Sequence, residues 1–86
     1  MGRIANYKKL SNKLTEAGIK NTIEGKIVIT ESTNLITKFE YDCHGDFEMR
    51  EYVKVSNEFH DYTLISLEQA VRFMKLRHGV IDESEF

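Results

Sequence analysis

The side chains best suited to chemistry sit in one short stretch: Glu40, Asp42, Cys43, His44, Asp46 and Glu48. Carboxylates, a thiol and an imidazole are the groups that bind metals or supply a nucleophile and its base. Their spacing argues against both uses. Neighbours on an extended strand point to opposite faces, so Cys43 and His44 diverge. No second spaced pair completes a tetrahedral site. A reactive cysteine needs a base in reach and a cation to stabilise its thiolate, and the surrounding acids do the opposite. Cys43 therefore reads as a small buried apolar residue. His60 beside Asp61 has the form of an oriented base, but no nucleophile pairs with it. Ser66 is explained as a helix cap. No catalytic set, metal or cofactor is expected.

What remains is charge. Glu40, Asp42, Asp46, Glu48 and Glu51 are expected to form a compact negative surface on a rigid hairpin. Such a surface suits a protein with a basic face. The alternative site is the basic face of the first helix, where Arg3, Lys8, Lys9 and Lys13 could neutralise phosphates of a nucleic acid. The two sites reflect a skew along the chain. Residues 1–38 hold seven Lys/Arg and three Asp/Glu, whereas residues 39–86 hold five and eleven.

The elements that must carry these groups are legible in the periodicity. Ile4, Tyr7, Leu10, Leu14 and Ala17 recur at steps of three and four, which predicts an amphipathic helix over 3–18. Gly18 ends it, with Ile19 folding back on Leu14. Residues 20–24 read as a short strand. Residues 26–31 hold Ile27, Val28 and Ile29, a β-branched run expected at the centre of a sheet. Ser32, Thr33 and Asn34 make a turn. Then Leu35, Thr37, Phe39, Tyr41 and Cys43 alternate with Lys38, Glu40 and Asp42. After the turn at His44-Gly45-Asp46, Phe47, Met49, Val53 and Val55 alternate with Glu48, Arg50, Tyr52 and Lys54. The two runs make a hairpin with an acidic outer surface.

Residues 56–65, with Phe59, Tyr62, Leu64 and Ile65, read either as a short edge strand or as a loop packed on the core. Ser66 with Gln69 forms a capping box for a helix over 66–78. Leu67, Ala70, Val71 and Met74 line its inner stripe, and Lys75, Arg77 and His78 suit its carboxyl end. Gly79 stops it. Leu76 points away from the inner stripe, either under the tail, toward another molecule, or simply to solvent.

The expected fold is α+β: one two-layer domain at 1–79, in the order helix, three or four antiparallel strands, helix, with an acidic flexible tail at 80–86. Both helices are expected on one sheet face. The predicted core is Tyr7, Leu10, Leu14, Ile27, Ile29, Phe39, Tyr41, Met49, Val53, Leu67, Ala70, Val71 and Met74. This element order resembles the double-stranded-RNA-binding domain. That family reads RNA with lysines opening its last helix. Leu67, Glu68 and Gln69 stand there, so the resemblance does not bring the function with it.

Composition sets the remaining bounds. The 86 residues suffice for one domain and a thin core, which disfavours a large catalytic cleft. Hydrophobic residues are 41% and charged residues 30%, the balance of a globular chain rather than a disordered one. A single cysteine points to a reducing cytoplasm. No apolar run is long enough to cross a membrane. Proline and tryptophan are absent and isoleucine, lysine, asparagine and glutamate abound, which suggests AT-rich coding in a low-GC bacterium or its phage. The size and acidity resemble small phage or mobile-element modulators. The expectation is a non-enzymatic protein-binding module of that type, able to form a homodimer.

Overall fold

The computed structural model describes residues 5–42 and 45–80. The first helix, α1, runs Asn6–Glu16, beginning after an extended Ala5 that supplies no side-chain cap. Its fully buried residues are Leu10 and Leu14, two members of the predicted stripe. It ends as expected. Gly18 takes φ +80, Ile19 N–H donates to the Leu14 carbonyl and Gly18 N–H to that of Thr15. These two bonds satisfy carbonyls that the helix itself leaves open. The second helix, α2, runs Leu67–Arg77 and closes with the same motif at Gly79. Its start is the capping box: Gln69 N–H donates to Ser66 Oγ and Ser66 N–H to Gln69 Oε1.

Between the helices lie five strands, β1 (Asn21–Glu24), β2 (Ile27–Glu31), β3 (Leu35–Tyr41), β4 (Asp46–Val53) and β5 (Phe59–Ser66). They form one antiparallel meander in chain order. The expected count of three or four is therefore corrected to five. The fifth comes from residues 56–65, the stretch with two readings. It pairs with β4 from Phe59 to Ser66, with a register shift opposite Glu51 and Tyr52.

Val28, Phe39, Phe47 and Met49 join Leu10, Leu14, Ile19, Ala70, Val71 and Met74 in one core. α1 contacts β1, β2 and β3, α2 contacts β4 and β5, and the helices touch each other. Phe47 meets Phe39 and Tyr41 edge-on, with ring centroids 6.4 and 5.7 Å away.

Two core expectations change. β2 buries Val28 and Thr30 and leaves Ile27 and Ile29 half-buried on the other face. Three successive β-branched residues carry no alternation, so pairing decides the phase: Val28 sits opposite Phe39 and Thr30 opposite Thr37. Phe47, absent from the expected core, is fully buried. Tyr7, Tyr41 and Leu67 pack on the core only in part, and Val53 is half-buried. Val55 lies beyond the end of β4 and is almost fully exposed. Leu76 is half-buried. The expectations for Cys43, His44, Arg3 and residues 81–86 fall outside the described residues.

Candidate interaction surface

The sheet has two unlike faces. Away from the core, β3 presents Ile36, Lys38 and Glu40, β4 presents Glu48, Arg50 and Tyr52, and β5 presents Tyr62 and Leu64. This grouping follows from the register: Glu40 stands opposite Glu48, Lys38 opposite Arg50, Arg50 opposite Tyr62 and Glu48 opposite Leu64. Like charges opposite one another would repel. Arg50 resolves this by reaching both, at 3.5 Å from Glu40 and 3.0 Å from Glu48. Its guanidinium also lies over the Tyr62 ring, 5.2 Å from the centroid, and Lys38 lies over Tyr52 at the same distance. Tyr62 donates its hydroxyl to Glu48 at 3.0 Å. That hydrogen bond, with a smaller contribution from desolvation, holds the phenol pKa above its ordinary 10.0.

Four of the five expected acids thus belong to the hairpin's outer surface or its tip. Glu40 and Glu48 share Arg50. Asp42 Oδ1 accepts from Asp46 N–H, which ties the ends of the turn together. Glu51 does not belong to this surface. It lies on the Phe47 and Met49 face, 3% exposed, where Arg77 of α2 grips its carboxylate through both guanidinium nitrogens. Thr37 donates to the same carboxylate at 3.2 Å. Arg77 also stacks over Phe73 at 4.5 Å. The reason was present in the alternation, since Glu51 shares parity with Phe47 and Met49.

Glu51 is one step of a polar row that crosses the whole sheet in register: Asn21, Thr30, Thr37, Glu51 and Asp61. Asn21 donates to the Ile19 carbonyl and to Thr15 of α1, and accepts from Ser11. The Thr30 hydroxyl is buried with no hydrogen-bond partner among the described residues. The row orients both helix ends on the sheet. Asn21 is engaged by α1, and Thr37 and Glu51 by each other and by Arg77, which suits a structural lock better than a reaction.

The basic alternative is spread over both helices. Lys8, Lys9 and Lys13 are exposed on α1. Lys13 lines a shallow groove with Val71, Arg72 and Lys75 of α2. His60 is exposed at the start of β5, beside Asp61, whose carboxylate accepts from the Tyr62 N–H. Among the described residues, no three His, Cys, Asp or Glu side chains are grouped so as to hold a metal ion. Among the described residues, no helix is long and apolar enough to span a membrane.

Sequence reasoning missed the apolar part of this surface. Phe59, Tyr62 and Leu64 are 60%, 43% and 53% exposed, and all three lie on β5. The available signal was that these three apolar side chains had no place in either helix stripe. Comparison with protein-family models, with curated proteins and with solved structures finds no match.

Proposed function

We propose that this chain is a non-enzymatic protein-binding module that docks a partner on the outer face of β3, β4 and β5. The carrying observation is the join of two surfaces there: the acids Glu40, Asp42, Asp46 and Glu48, and the exposed apolar strip of Phe59, Tyr62 and Leu64. Charge steers and orients a partner, while buried aromatic and aliphatic groups supply most of the affinity. A partner with a basic rim around an apolar centre fits this pattern. The proposal takes both helices to lie on the Phe39 and Phe47 face, leaving the other open. Contact between the helices and a shortest dimension of 20 Å support that arrangement. A phage or mobile-element modulator of another protein is the form we propose for it, acting in the cytoplasm without a cofactor.

The test is capture from nuclease-treated lysate of the source or host cell, with and without Asp42→Lys, Asp46→Lys and Glu48→Lys together. A stoichiometric protein held by the natural chain and lost by the variant supports the proposal. Equal capture by both counts against it.

A second reading has one specific observation in its favour. Lys13 shares its groove with Arg72 and Lys75, so the basic patch of α1 extends onto α2. Nucleic acid bound there would be released steeply by salt, because each neutralised phosphate frees a counterion.

A further inference from the structure

We propose that β5 is the contact strand of a symmetric dimer, pairing antiparallel with β5 of a second copy. β5 has β4 on one side and, among the described residues, no strand on the other. It is eight residues long, and Phe59 through Leu64 are all exposed. The opposite edge, β1, has four residues and carries Glu24. A long edge exposes a row of unpaired amides and carbonyls, which proteins usually blunt with charge, proline or a bulge. β5 is hardly blunted. It contains no proline and one acid, Asp61, beside His60. Its irregularity lies at the Phe59–Asp61 end, opposite Glu51 and Tyr52, and leaves Asp61–Ser66 in regular register.

This segment complements itself. A two-fold axis normal to the sheet through Thr63 sets Thr63 opposite its own copy, Tyr62 opposite Leu64, and Asp61 opposite Ile65. Tyr62 and Leu64 share the outer face, so the ring of each copy meets the isobutyl group of the other twice across the seam. The two Asp61 carboxylates then stand roughly 14 Å apart along the strands, beyond the ~8 Å over which physiological salt screens exposed charges. A foreign strand would need to supply this complement by chance, whereas a second copy carries it. Pairing of β5 with β1 would propagate head to tail, but β1 is too short to match it. The closed dimer is a ten-stranded sheet with the outer faces of both copies continuous.

Sedimentation equilibrium tests this on the full chain. The expected mass at ~100 μM is twice the 10.0 kDa of the chain, falling on dilution. Tyr62→Lys with Leu64→Lys puts like charges opposite each other at two positions and should weaken the dimer about tenfold or more, as should Tyr62→Glu with Leu64→Glu. An equimolar mixture of the two variants should restore dimers, because each introduced lysine then faces an introduced glutamate. A natural chain that stays monomeric at this concentration overturns the proposal. So does a dimer that neither variant weakens, or a mixture of folded variants that stays monomeric. Amide exchange covers the case of a variant that does not fold. In the natural chain, alternate amides of Asp61–Ile65 should exchange more slowly as concentration rises; exchange independent of concentration overturns the proposal. Protection that appears only when another protein is added does the same, and assigns the edge to that protein.

Discussion

Glu51 and Arg77 show how one residue can change role when its face is known. As a member of an acidic hairpin, Glu51 would be a contact for a partner. Buried under α2, it holds the last turn of that helix against β4 through Arg77, with Thr37 completing the site. Removing one partner leaves a buried charge without its bonds, which is costlier than removing both. Arg77→Met should therefore lower stability by about 2 kcal/mol in urea unfolding, and Arg77→Met with Glu51→Met should recover much of the loss. A single variant as stable as the natural chain would show that the pair contributes nothing. Tyr62 offers a second test. Its hydroxyl donates to Glu48, which favours the neutral phenol. Its folded pKa lies above the unfolded one, so the bond's contribution is complete below about pH 10 and is lost as pH rises through the folded value. Glu48→Gln should bring tyrosinate absorbance at this position back toward pH 10, with Tyr62→Phe identifying which of the four tyrosines is responsible. No movement would mean that the hydrogen bond is not formed in solution.

At the scale of elements, local signals were legible wherever a local rule governs. The capping box at Ser66, the glycine stops at Gly18 and Gly79 and the strict alternation of β3 each fix geometry through neighbours in sequence. The phase of β2 was not legible, because Ile27, Val28 and Ile29 are equally apolar and equally β-branched. Strand pairing with β3 settled it, and pairing is a distant contact. β5 was half-legible for a related reason. An edge strand buries little, so its pattern lacks the alternation that marks β3 and β4. The candidate surface shared that weakness: its acids were visible as charge, but their neutralisation by Arg50 needed the register. Two comparisons check the packing. Leu14→Asn and Val71→Asn should each cost about 3 kcal/mol or more, since both positions lie in the core. Val28→Ala should cost about 2 kcal/mol and Ile29→Ala clearly less, the reverse of what the initial phase implied. Equal losses at 28 and 29 would place both in the core and contradict the observed phase.

Across the whole molecule, charge is unevenly divided between the helices and the sheet. The helices carry Lys8, Lys9, Lys13, Arg72 and Lys75 beside Glu16 and Glu68, while the outer sheet surface carries Glu40, Glu48 and the acids of the hairpin tip beside Lys38 and Arg50. The skew between the two halves of the sequence becomes a separation of charge in space, because the first helix and the central hairpin are distinct elements of the fold. A separated charge distribution steers partners to one side or the other. The proposed function uses the sheet side, and the nucleic-acid reading uses the helix side, so one experiment separates them. Two charge-reversed proteins should be compared in the same nuclease-treated lysate. One carries Asp42→Lys, Asp46→Lys and Glu48→Lys; the other carries Lys8→Glu, Lys9→Glu and Lys13→Glu. If recognition runs through the sheet, the first loses a stoichiometric protein partner and the second keeps it. Loss in the helix variant alone, or capture of nucleic acid when nuclease is omitted and of no protein in either case, would contradict docking on the sheet face.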